Sequence, residues 1–394
     1  MKIIIPSFGI PSFYNIHNIT LPIGISFYTF QAISYCLDIY NKKYIPEKQF
    51  SKFALYISFF PKLLAGPIER ADNLLPQFNN LPTINLNAVL NGVKRILWGL
   101  FKKIVIADKL ALIVDLVYGN PYGNNGFTFL LTTYIFAFQI YCDFSGYCDI
   151  AIGTAQLFGY RLSENFQKPY LATSIADFWK RWHITLMSWF KDYIYIPLGG
   201  NTVSTYRWYR NIMIVFLVSG LWHGASLNFV IWGAIHGLFY VSGVMTANVR
   251  EYIAEKIGLN KYDKLHKLIK TIVTFNLVSL GWIFFRANNL TSATYIIKTI
   301  MSDMFSLADL IPNDTYNLWS IFKIQGISQL ELITYLLLLI FFFLNETFDW
   351  IERYYYKADI NHVTIKELCL LNIIICSLLF LGDIGGKSFI YFIF

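Results

Sequence analysis

Six histidines occur in the chain, and two of them stand where an imidazole could do chemistry. In residues 219–237, SGLWHGASLNFVIWGAIHG, His223 lies between Trp222 and Gly224 inside an apolar run. Ionisable groups at membrane depth are rare and mark function by default. The second stretch is 168–201, KPYLATSIADFWKRWHITLMSWFKDYIYIPLGGN. Ser174 followed three residues later by Asp177 is a capping pattern, so a helix is expected to begin there. On that helix Asp177 and Arg181 can pair at i,i+4, while Trp179, His183 and Phe190 share another side. The expectation is one aromatic-rich amphipathic helix ending near Pro197-Leu198-Gly199-Gly200, with His183 at an apolar boundary. The bland alternative for both histidines is a satisfied core or interfacial side chain. His236 lies thirteen residues beyond His223. Along one straight helix that is about 20 Å and roughly 220° away, so His236 is read as structural unless glycines break the helix.

A neutral imidazole in such a setting can deprotonate a hydroxyl as it attacks an activated acyl group. It can alternatively relay protons in a transporter, which calls for paired carboxylates at depth. Apart from Asp143, Asp149 and Glu346, few acidic residues lie in apolar runs, and acyl transfer is favoured. Asp143 and Asp149 in YCDFSGYCDIAIG (141–153) are six residues apart. That is roughly 240° off on a helix, which argues against a shared acid–base or metal site. Ser145 lacks the Gly-x-Ser-x-Gly elbow of serine hydrolases. There is no phosphate loop, dinucleotide fingerprint, HExxH or cysteine-based zinc spacing. No metal and no cofactor are expected. The five cysteines, Cys36, Cys142, Cys148, Cys369 and Cys376, are read as small core residues.

The elements that must carry these residues follow from composition. Of 394 residues, 56% are hydrophobic and 14% charged, against roughly 25% charged in soluble domains. A water-soluble enzyme, a disordered chain and a nucleic-acid binder with a solvated basic face are all excluded. The 35 Phe, 27 Tyr and 10 Trp suit two membrane interfaces. The fold class expected is all-α, a polytopic integral membrane protein. Apolar runs at 126–141, 211–221 continuing into 229–245, 268–286, 330–348 and 368–381, with less clean ones at 22–40, 52–67 and 88–118, suggest about eight to ten membrane helices. Two basic pairs inside 88–118 point to a tilted or interfacial helix there. Basic clusters at 94–109 and 180–191, within a net charge of +8, point to the cytoplasmic side or to anionic lipid. The polar stretches 250–267 and 302–329 read as extramembrane. Met1-Lys2 and three isoleucines before Pro6 are too short for a signal peptide, so insertion is expected to come from the helices themselves. No internal repeat supports an inverted-repeat transporter.

Several stretches together resemble the bacterial membrane-bound O-acyltransferase (MBOAT) family, in its alginate O-acetylase-like branch. They are PIGISFYTFQAISYCLDIY (22–40), FFPKLLAGPIERADNLLPQF (59–78), YCDFSGYCDIAIG, DFWKRWHITLMSWFKDYIYIPLGGN (177–201), SGLWHGASLNFVIWGAIHGL (219–238), GWIFFRA (281–287) and FIYFIF (389–394). They occur in the family's order and cover nearly the whole chain. The resemblance implies one MBOAT membrane domain over 1–394, lacking part of the N-terminal helices that usually precede Pro22, in the inner membrane of a bacterium. It implies a helical fold around an acyl-transfer tunnel. His223 matches the family's WHG catalytic histidine and His183 its second histidine. Acetyl-CoA or an acyl-carrier thioester would be the donor and an extracellular or cell-wall polysaccharide the acceptor. The implied partner is an extracytoplasmic SGNH-type esterase-fold protein, alongside membrane lipid. Tyr391 in the terminal motif is implied as an acyl relay. Lys191, Leu227 and Ile393 depart from the commoner Arg, Trp and Gln without removing a candidate catalytic group. Peptidoglycan O-acetylation and teichoic-acid D-alanylation are the alternatives within the class. A transporter or flippase of a lipid-linked sugar is the alternative outside it, and a non-catalytic scaffold is a third.

Overall fold

The structure, a computed structural model, describes residues 22, 24–79, 82, 84–305, 329–348, 364–382 and 389–390. Among them there is no strand. Fourteen α-helices of seven residues or more follow in order among the described residues. They are α1 Ile25–Tyr40, α2 Phe50–Ser58, α3 Leu86–Leu100, α4 Asp108–Gly119, α5 Gly126–Leu157, α6 Ile175–Arg181 and α7 Ile184–Phe190. Then come α8 Thr205–His223, α9 Leu227–Met245, α10 Ala247–Lys256, α11 Asp263–Arg286, α12 Leu290–Phe305, α13 Gln329–Phe348 and α14 Ile365–Leu381. The starts are written in the sequence. The side chains of Asn85, Asn125, Ser174 and Ser226 accept from backbone N–H groups in the first turn of α3, α5, α6 and α9. Thr364 and Glu367 form a full capping box on α14, satisfying donors that a helix start leaves open.

Among the described residues three helices are long and apolar enough to cross a bilayer: α5 with 32 residues, α9 with 19 and α11 with 24. The outer surface is apolar where a soluble protein would be polar. Leu238 and Met245 on α9, Leu268, Ile272 and Val273 on α11, and Leu336, Leu337 and Ile340 on α13 are all exposed. Contiguous apolar surface of that extent marks contact with lipid.

The α5 helix is the central post, buried along most of its length. Antiparallel α3 lies against it through paired glycines: a methyl on Gly99 would sit 2.6 Å from the Gly146 carbonyl oxygen, and one on Gly153 2.6 Å from that of Gly92. Small residues at such crossings let two backbones touch and maximise packing where lipid offers no hydrophobic drive.

Beyond Gly99 the helix widens into a π-helical segment, Phe101–Ala107, before continuing as α4. Here the structure corrects the sequence. The 88–118 run does not present all of its basic residues at the surface. Lys102 and Lys103 are each 5% exposed and point at α5. Lys102 Nζ lies 2.6 Å from Asp149 Oδ2 and donates to Ser145 Oγ. Lys103 Nζ lies 2.7 Å from Asp143 Oδ1 and 2.8 Å from Asp108 Oδ1. Arg95 reaches both Asp149 and Glu164. Charges survive in an interior when each is paired and hydrogen-bonded. A π-bulge in a helix frequently accompanies such a functional placement.

The cysteines also divide differently from expectation. Cys142 and Cys148 are buried, whereas Cys36, Cys369 and Cys376 are exposed. The 250–267 stretch forms the exposed helix α10 and the turn after it, and most of 302–329 lies outside the described residues.

Candidate active site

The expected single helix from Ser174 onward is two. Ser174 caps α6 as anticipated, and Arg181 pairs with Asp177 at 2.8 Å. The helix then stops at Trp182, and His183 takes a left-handed conformation, φ 44°, ψ 53°. Such a conformation is costly for a residue with a Cβ and persists where the surroundings impose it. The surroundings are the irregular segment 165–167. The Gln167 N–H donates to the Arg181 carbonyl, and the Ile184 N–H donates to the Asn165 carbonyl. These two bonds strap the break and turn the His183 ring inward, where it is 1% exposed.

Asn165 also fixes the ring chemically. Its Oδ1 accepts from the Thr185 N–H at 3.1 Å and from Thr185 Oγ1 at 2.9 Å. That atom is therefore the carbonyl oxygen, and His183 Nδ1, 3.1 Å away, must be the donor. The neutral tautomer then carries its lone pair on Nε2. Asn165 was not legible in the sequence as a site residue, because its partners are 18 and 20 residues away.

His223 is the last residue of α8, stopped by the extended Gly224. Three residues later α9 begins and runs back along α8. The glycines therefore do break the 211–245 run, and the straight-helix separation of His223 from His236 does not apply: both imidazoles pack on Trp232, at centroid distances of 5.0 and 5.1 Å. His223 is 6% exposed. Its ring also meets Phe285 edge-on at 5.0 Å, Trp222 at 4.7 Å and Phe229 at 6.2 Å. Trp222 touches His183 as well, at 6.2 Å. His236 is fully buried between Trp179 and Trp232. Neither of its ring nitrogens finds a hydrogen-bond partner among the described residues.

Two polar cavities reach α5 from opposite sides, since their lining residues differ by roughly 200° around the helix. One, of about 320 Å³, is lined by Gln139, Asp143, Lys103, Asn228 and the Phe229 and Phe285 rings that hold His223. The other, of about 470 Å³, is lined by Ser145, Asp149, Lys102, Lys168, Arg181 and by Asn165, the anchor of His183. The residue types of GWIFFRA are explained here: Phe285 walls His223, and Arg286 pairs with Asp115 at 2.6 Å. Among the described residues no group of three or more His, Cys, Asp or Glu side chains could hold a metal. Tyr391 lies outside the described residues.

The membrane-bound O-acyltransferase family profile matches residues 45–256, just over half of the chain. Over 301 residues the chain is 40% identical to the Pseudomonas aeruginosa protein named probable alginate O-acetylase AlgI, covering 76% of this chain and 55% of that protein. It is 38% identical over 307 residues to the Helicobacter pylori peptidoglycan O-acetyltransferase, covering 71% and 57%. It is 26% identical over 285 residues to the Streptococcus thermophilus teichoic acid D-alanyltransferase, covering 67% and 68%. The chain belongs to the membrane-bound O-acyltransferase family and is a membrane protein. It spans less than two thirds of the length of the first two of these relatives.

Proposed function

We propose that the chain is a multi-pass O-acetyltransferase of the bacterial inner membrane, with His223 as its general base. The observation that carries this reading is the pair of buried imidazoles meeting at Trp222 between two polar cavities. One cavity would take the thioester end of acetyl-CoA or of an acyl carrier, its phosphates drawn by Lys168 and Arg181. The other would present the attacking hydroxyl to His223. The imidazole takes the hydroxyl proton as the oxygen attacks the thioester carbonyl. The tetrahedral intermediate then expels the thiolate, which receives that proton. His183, held with Nδ1–H toward Asn165, orients the donor or assists the proton with Nε2. The first acceptor in this reading is the Tyr391 phenol. The resulting phenyl ester passes the acetyl group to an extracytoplasmic SGNH-type partner and on to a polysaccharide. The names of the relatives from Pseudomonas and Helicobacter favour O-acetylation over D-alanylation. The test is polysaccharide O-acetylation in cells carrying His223→Ala at wild-type membrane levels. Loss of acetylation is expected, and wild-type acetylation overturns the assignment.

A further inference from the structure

Asp143 and Lys103 make a buried ion pair that the chemistry above does not use. Each also touches the end of the chain. Asp143 gives one oxygen to Lys103 at 2.7 Å and accepts with the other from the Ile390 N–H at 2.8 Å. The Lys103 ammonium lies over the Phe389 ring, 4.4 Å from its centroid. That ring meets Tyr147 edge-on at 5.0 Å. Ile390 is 7% exposed and forms part of the wall of the cavity beside His223. Two consecutive residues are thus gripped three ways by one ion pair and its surroundings: an amide hydrogen to a carboxylate, a ring face on an ammonium, and an aliphatic side chain in a wall.

The pairing also has a physical reason to favour the tail. A buried carboxylate needs donors on both oxygens, and Lys103 must share its ammonium with Asp108 at 2.8 Å. The Ile390 N–H supplies the second oxygen of Asp143 with a charge-assisted bond, and it does so without adding a charge. The phenyl face adds a second favourable term for the cation.

We propose that the Lys103–Asp143 pair is the receptor for the chain's own C-terminal tail, seating Phe389-Ile390 against the cavity beside His223. The pair is a positioning device. Its connection to acyl transfer rests on the proposed function, but the seating itself does not. Ile390 immediately precedes Tyr391 in the sequence, so the receptor fixes the anchor point of the residue read above as the relay.

The test uses the full-length protein in detergent, with exposed Cys36, Cys369 and Cys376 changed to Ser and Ile390→Cys as the reporter. Maleimide labelling of position 390 is expected to be slow. In the variant Lys103→Met/Asp108→Asn/Asp143→Leu, which removes the pair and also neutralises Asp108, the other carboxylate that Lys103 holds, labelling is expected to be at least tenfold faster. An unchanged rate in that variant, melting like its parent, overturns the proposal. Hydrogen exchange in the unmodified chain gives a reading that needs no variant. The Ile390 amide should exchange far more slowly than in a free peptide, and exchange at the free-peptide rate overturns the seat. Acetylation assayed in the same variant separates the two ideas. Faster labelling with acetylation lost supports the seat and its use in the reaction. Faster labelling with full acetylation supports the seat and counts against the tail reading alone.

Discussion

The two imidazoles at the centre of this molecule both lie among aromatic rings, Phe144 meeting His183 edge-on at 4.7 Å, but the backbone around them differs. His183 is held by the backbone and by hydrogen bonds. A left-handed φ, two strap bonds from 165–167 and the Asn165 carbonyl fix its ring and its tautomer. His223 sits at the open end of a helix in a box of rings, with Trp232 and Phe285 both edge-on at 5.0 Å. A ring locked in one tautomer keeps one nitrogen in one place, whereas His223 is set among aromatic rings at the end of its helix. The contrast suits a base that must take and return a proton beside a second group that must not change. It also makes the two sites separable by mutation.

The largest effect should come from His223→Ala, which removes the proposed general base. Loss of a general base typically costs about 10²–10⁴ in rate. Acceptor acetylation, measured against membrane protein level, should fall by that much with the fold intact. His183→Ala should come second, reducing turnover by less than His223→Ala at matched expression. If His183→Ala is the more severe of the two, the roles assigned here are reversed. If it is fully active, His183 is a packing residue.

Asn165→Ala should come third. It leaves both imidazoles in place and removes the acceptor that fixes His183. Losing an orienting partner of this kind costs about 10–100-fold in comparable sites. Because Asn165 acts through His183, the double variant Asn165→Ala/His183→Ala should be no worse than His183→Ala alone. Additive losses in that cycle would show that Asn165 has a separate task, such as shaping the cavity it lines with Lys102 and Arg181.

How much of this was legible in the sequence differs between the two sites for a physical reason. His223 stood out because charge in an apolar run is a local signal. The capping of α6 by Ser174 was equally local and was found where expected. The break at His183 was not legible, because its cause is a strap from residues 165–167 closed by tertiary contact, while the local helical period runs straight through Trp182. Lys102 and Lys103 were misread for a similar reason. Lysines beside apolar runs ordinarily sit at the interface, and what buries this pair is Asp143, Ser145 and Asp149 some forty residues away. The i,i+6 spacing of the two aspartates argued against a shared site, and they do serve different lysines. That spacing said nothing about the lysines themselves.

The smallest expected effect probes the packing side of the contrast. Gly281 on α11 faces His236, and a methyl there would stand 2.5 Å from His236 Nε2. That imidazole packs on Trp232, which in turn packs on His223. Gly281→Ala must therefore displace His236, and the displacement reaches His223 through one shared ring. Overpacking a full interior costs about 1–3 kcal/mol, so the variant should melt at a lower temperature yet remain folded. If ring contacts alone set the His223 geometry, acetylation should fall severalfold as well. An alanine at 281 also leaves the Asn165–His183–Thr185 network untouched, so adding Asn165→Ala should multiply the two losses. A variant that melts earlier but acetylates at the wild-type rate would mean that the box tolerates movement, and that something other than packing aims His223 at its substrate.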